Sequence, residues 1–109
     1  MARSMTALVR FAGHLTAEGV RTGLLGVAAS GERTGIVVDC LAMTGYDLEA
    51  RHAFVEWHTR NAARIARVAI VTTNPLHHMV IRAMSLAAGV PMRAFSRSVE
   101  AERWAADVR

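Results

Sequence analysis

Apolar and polar positions along the chain change period four times, and each change predicts a strand followed by a helix. Residues 8–15, Leu8-Val9-Arg10-Phe11-Ala12-Gly13-His14-Leu15, alternate in part, the period-two rhythm of a strand. Thr16 follows as an N-cap, with Glu18 in the first turn, for a helix running to about Ser30. Gly19, Gly23 and Gly26 weaken that helix, or let it lie close against a sheet. Residues 31–35 are expected to loop. Ile36-Val37-Val38-Asp39-Cys40-Leu41 is then an apolar, β-branched run of the kind buried on both faces of a parallel sheet. Thr44-Gly45-Tyr46 is expected to turn the chain and Asp47 to cap a long helix. On it Ala50, Phe54, Trp57 and Ile65 lie close to one face, while Arg51, Glu56 and Arg60 fall off it.

Residues 66–72 form the next buried strand. Asn74-Pro75 is the sharpest local signal, because Asn supplies a cap oxygen and Pro at the first helical position loses no useful donor. Leu76, Met79, Val80, Ala83, Met84 and Ala87 continue at helical spacing, Gly89 closes the helix in a left-handed conformation, and Pro91 prevents its resumption. Residues 90–95 make a short last strand. Ser98 begins a helix with Ala101, Trp104, Ala105 and Val108 on one face. Strand and helix in fourfold alternation predict an α/β fold: a single small domain with a four-stranded, largely parallel sheet flanked by about four helices. The 109 residues suit one such domain, with its core at about 8–107.

Composition narrows this little. The 52% apolar fraction is inflated by 20 alanines. No run approaches the ~20 apolar residues of a membrane helix, so no transmembrane segment is expected. The first six residues lack a secretory apolar region, and the single Cys40 excludes an internal disulfide, so a cytoplasmic location is the default. All 13 basic residues are Arg, giving a net charge of +4. They are spread along the chain, and the stripe Arg60, Arg64 and Arg67 is best read as complementing a helix C-terminus, with Glu56 pairing Arg60. No nucleic-acid partner is expected.

Ligands of such folds sit beyond the carboxyl ends of the strands, here residues 39–49 and 72–78 with Ser96 and Ser98. No glycine-rich phosphate loop is present, and without lysine the phosphate-binding amine and Schiff-base chemistry are absent. Asp39, Asp47 and Glu49 could gather near one strand end, but Asp47 as a cap and Glu49 as a first-turn charge explain themselves; Asp39 ends a buried run and needs hydrogen-bond partners. His77 and His78 diverge by about 100° on a helix, and His52 and His58 are six apart, so no metal is expected, and no cofactor. Cys40 is a small hydrophobe unless a base such as His14 or His78 lies beside it. Met43, Met79, Met84 and Met92 suit a core or a pliable pocket. Trp57 and Trp104 anchor their helices.

In order and spacing, several of these segments resemble the STAS domain, the family named for sulfate transporters and anti-sigma-factor antagonists. Phe11-Ala12-Gly13-His14-Leu15-Thr16 is similar to that family's first strand and turn. Residues 36–47 resemble its apolar strand, Asp, short loop and second Asp at a helix start. Arg93-Ala94-Phe95-Ser96 and Glu100-Ala101-Glu102-Arg103-Trp104 resemble a bacterial variant subgroup associated with CRAL-TRIO-like lipid-binding domains. The resemblance implies a non-enzymatic regulatory module that docks a protein partner, such as an anti-sigma factor or kinase-like regulator, through Thr44, Gly45, Tyr46, Asp47, Glu49, Arg51 and His52. Family members that are phosphorylated carry Asp-Ser-Ser-Gly where this chain has Asp47-Leu48-Glu49-Ala50, so the acceptor serine falls on Glu49 and the switch is expected to be lost. The family's additional first strand is also expected to be missing, which would leave residues 8–15 as an open edge able to pair in a homodimer. The alternative is a carrier of a small apolar ligand or lipid with a pocket at Asp39, Cys40, Met43, Thr72, Thr73 and Asn74. An enzyme built on Asp39, Cys40 and a strand-end histidine ranks third.

Overall fold

Thr34–Tyr46 forms the strand, β2, on which the rest of the molecule is laid out. In the computed structural model, which describes residues 5–27 and 33–107, it is preceded by β1 (Met5–Leu15) and α1 (Ala17–Leu24). It is followed by α2 (Leu48–Arg60), a 3-10 turn (Ala62–Arg64), β3 (Ile65–Val71), α3 (Leu76–Ala88), β4 (Met92–Phe95) and α4 (Ser98–Ala106). The four strands make one sheet in the order β1-β2-β3-β4, every neighbouring pair parallel. The expected α/β architecture, with a four-stranded parallel sheet and four helices, is the one observed.

Side-chain alternation along the strands sorts the helices onto two faces. Ile36 and Val38 of β2, with Val9 and Phe11 of β1 and Val68 and Ile70 of β3, meet Val20 and Leu24 of α1, Ala50, Phe54 and Trp57 of α2 and Ile81 of α3. Val37, Ala69 and Val71 point the other way, against Ala101 and Ala105 of α4. Gly35 sets the approach of α4. A Cβ built there would lie 2.0 Å from the Ala105 carbonyl oxygen, so any side chain would force the helix off the sheet.

Local signals were met where one residue's chemistry decides the geometry. Thr16 Oγ1 accepts from the Gly19 amide at 3.1 Å, Asn74 Oδ1 accepts from the Leu76 amide at 3.0 Å, and Gly89 closes α3 at φ +69°. Several boundaries differ from expectation. The first helix ends at Leu24, with 25 and 26 in a turn; Ser30, the first two residues of the expected loop 31–35, and Val108 lie outside the described residues. Thr34 and Gly35 already pair with β1, and Thr44-Gly45-Tyr46 continues β2 instead of turning. Ile65 starts β3 and does not share a face of α2. Arg60, Arg64 and Arg67 consequently form no helical stripe. Arg60 pairs with Glu56 at 3.5 Å, whereas Arg67 donates to the Trp104 carbonyl at 3.1 Å and stacks on its ring. In α3 the buried residues are Ile81 and Ala88, and of the residues noted for their helical spacing Leu76, Met79, Ala83 and Ala87 are exposed. Tertiary placement chose between two apolar sides of the same helix.

Among the described residues His58 is the one titratable side chain fully inside the core. Its Nδ1–H donates to the Phe54 carbonyl at 2.7 Å, its ring lies 4.3 Å from that of Phe54 and 4.7 Å from that of Trp57, and its Nε2 has no partner among the described residues. Burial pushes its pKa down from 6.5 to about 4, partly offset by the Phe54 carbonyl. The unfolded chain therefore takes up a proton below pH 6.5 that the folded chain refuses until about pH 4, so stability falls as pH drops through that window. Urea denaturation is expected to show a loss of about 2–3 kcal/mol between pH 7.5 and 4.5 that disappears in His58→Leu. An unchanged acid slope in the variant would contradict this.

Candidate functional site

β3 stops at Val71, opposite Asp39, but β1 and β2 continue together to Leu15 and Tyr46. In this extension β2 carries one extra residue between Asp39 and Ala42 and another between Met43 and Gly45. Each bulge resets the alternation by one position. Cys40, Met43 and Tyr46, which a regular strand would send to alternating faces, all border one apolar cavity. Phe11 and Leu15 of β1, Ala50, Arg51 and Phe54 of α2, and His77, Val80, Ile81 and Met84 of α3 complete its wall. The cavity volume is about 70 Å³.

The same extension places the start of α2. The Asp47 amide donates to the Leu15 carbonyl at 3.0 Å, and the Asp47 carbonyl accepts from Ala50 at 3.0 Å and Arg51 at 3.3 Å. The Asp47 carboxylate makes no cap of its own; His14 Nε2 donates to its Oδ1 at 2.6 Å instead. Sequence reasoning gave Asp47 to the helix amides, but His14 reaches it across the ribbon. Thr44, Glu49 and His52 are exposed along this rim, with Gly45, Tyr46, Asp47 and Arg51 half-buried. Arg51 and His52 also border a groove between α2 and α3.

The residues expected in a pocket are divided among three places. Cys40 and Met43 line the cavity. Asp39 stands on the opposite side of the sheet from Val38 and Cys40; its Oδ2 accepts from Arg10 Nε at 3.3 Å and its Oδ1 from the Leu41 amide at 3.0 Å. That pairing answers the demand that a carboxylate at the end of a buried run find partners. Thr72 is buried at the end of β3. Its Oγ1 accepts from the Asn74 amide at 3.2 Å and from His77 Nδ1–H at 2.8 Å, while Asn74 Nδ2 donates to His77 Nε2 at 3.5 Å, so Thr72 and Asn74 orient the His77 ring, with Thr73 exposed beside them. His77, with its ring centroid 6.0 Å from that of Tyr46, is a polar residue of the cavity wall that the sequence did not assign to a pocket. The available signal was its spacing to Ile81 and Met84, at i+4 and i+7 on α3.

Chemically, Cys40 is quiet. Burial, reinforced by the Asp39 charge, pushes its thiol from 9.0 up to about 12. The thiolate is the nucleophilic form, so this environment suppresses reactivity. Among the described residues no three His, Cys, Asp or Glu side chains gather into a metal site. At pH 8, Cys40 is expected to react with an aromatic disulfide reagent roughly a thousandfold more slowly than a free thiol, reaching the ordinary rate only when the chain is unfolded in guanidinium. A rate near that of free cysteine in the native protein would contradict the assignment.

No curated protein matches the chain. Among solved structures, an uncharacterised protein from Shewanella loihica PV-4 with a SpoIIAA-like fold matches at a TM-score of 0.71 and 22% identity, over 89% of this chain and 81% of that one. No helix among the described residues is long and apolar enough to cross a membrane. The family model for SpoIIAA-like proteins matches residues 7–106, nearly the whole domain, and the chain belongs to the SpoIIAA-like family.

Proposed function

We propose that this domain is a non-enzymatic, STAS-type interaction module that docks a protein partner through the rim formed by residues 44–47 and the first turn of α2. The observation that carries this reading is Glu49, exposed in that first turn at the position where phosphorylated relatives of the STAS type carry the acceptor serine. A carboxylate cannot accept phosphate and sets a permanent negative charge at a helix N-terminus, so partner binding here is constitutive, without a kinase-controlled switch. Arg51 and His52 supply opposite charge and hydrogen-bond donors on the same rim. The cytoplasm is the proposed location.

A second reading, a small apolar ligand in the cavity beside Cys40 and Met43, is favoured by the apolar wall. The volume sets its limit: at about 70 Å³ the space is roughly half of an engineered ~150 Å³ cavity that admits benzene. An acyl chain does not fit without repacking Met43 and Met84.

The test is affinity capture from the protein's own cell extract, comparing the wild type with Glu49→Arg and Arg51→Glu. A defined partner recovered by the wild type and reduced by about tenfold or more in both variants is expected. Equal recovery with all three would overturn the docking surface, as would kinase-dependent phosphate on Thr44 or Tyr46 the constitutive reading. Native mass spectrometry is expected to show no reproducible small-molecule adduct; one would favour the carrier.

β1 is an eleven-residue edge strand whose outer side is paired by nothing among the described residues, with Leu8 exposed. We propose that this edge pairs with a second copy of the chain, as long unprotected edges do. Light scattering is expected to give twice the 11.8 kDa chain mass. A single-chain mass at high protein concentration would refute the pairing.

A further inference from the structure

From Trp57 to Val99 the sequence carries Arg60, Arg64, Arg67, Arg82, Arg93 and Arg97 and no carboxylate; all nine acidic residues lie on either side of this stretch. The segment includes α3, whose outward side is apolar. Leu76, Met79 and Leu86 are 74%, 77% and 82% exposed, and Ala83 and Ala87 are exposed between them. At 100° per residue these five side chains fall within one continuous arc of about 100°, with Arg82 at its margin. Beside the arc, the groove between α3 and the edge strand β4 is walled by His78, Arg82 and Arg93 and contains no carboxylate. Exposed apolar side chains normally occur singly on a soluble domain. A ridge of them spanning about 15 Å needs a cover.

We propose that α3 docks this domain on an anionic membrane surface. The apolar ridge enters the boundary between headgroups and acyl chains, and Arg82 and Arg93 lie at headgroup level against lipid phosphates. Two features favour this occupant. The large side chains of the ridge, Leu76, Met79 and Leu86, are each about three-quarters exposed or more, so they can enter a deformable surface without a preformed pocket to receive them. A second copy is disfavoured by charge: twofold packing of α3 on itself would set two copies of Arg82, at the midpoint of the helix, side by side, and the carboxylate that borders the ridge, Glu56 across the groove from Ala83 and Ala87, is already paired with Arg60.

Flotation with vesicles of phosphatidylcholine alone, or mixed with phosphatidylglycerol, tests the proposal. The wild type is expected to float with the mixed vesicles only. Met79→Glu or Leu86→Glu is expected to weaken binding more than about tenfold, and Arg82→Gln about fivefold. These positions are exposed, so the variants should keep the wild-type melting temperature. Val99→Glu, an exposed apolar position on α4 across the sheet, should leave binding unchanged. Failure to float, or flotation indifferent to the α3 variants, would overturn the proposal. Binding of soluble polyglutamate in place of vesicles would overturn it in favour of an acidic protein surface. Self-association abolished by Leu86→Glu, without flotation, would overturn it in favour of a second copy.

Discussion

Once β3 ends at Val71, the backbone groups of residues 42–46 are paired by β1. That pairing is parallel, and it holds only because β2 takes up two extra residues in bulges. The consequences reach both candidate surfaces. Inside, the bulges bring Cys40, Met43 and Tyr46 onto one wall. Outside, they deliver Asp47 to the Leu15 carbonyl and to His14, which fixes where α2 begins and hence where Glu49, Arg51 and His52 stand. A ribbon one residue out of register would turn this wall toward solvent.

The architecture was legible because its signals are local and redundant. Thr16, Asn74 and Gly89 each act through a single atom or torsion, and the apolar runs 36–41 and 66–72 read as buried strands, although burial on β2 ends at Val38 and Leu41 is 49% exposed. The site was less legible, for two physical reasons. Bulges leave no mark in hydrophobic period, so Thr44-Gly45-Tyr46 resembled a turn when it is strand. In α3 apolar residues occur on more than one side, so periodicity alone allowed either side to face the sheet; Ile81 and Ala88 are the ones that join the core formed by the strands, α1 and α2. Asp39 illustrates the reverse case. Its need for partners was readable, but the identity of Arg10 as the partner depended on strand register.

The chemistry of the rim agrees with docking more than with turnover. Cys40 is held as a thiol by burial, Asp39 is engaged on the far side of the sheet, and His77 is oriented by Thr72 against an apolar wall. Charge and exposure are concentrated instead where α2 starts and along α3, two surfaces separated by the groove that Arg51 and His52 border. One surface carries an acid at its centre, the other carries arginine and bare apolar side chains.

Amide hydrogen exchange of the captured complex tests the central claim most directly. If the bulged ribbon exists to present a docking rim, partner binding will slow exchange at residues 44–52 and leave β4 and α4 unchanged. Protection centred elsewhere, with residues 44–52 exchanging as in the free chain, would contradict the account.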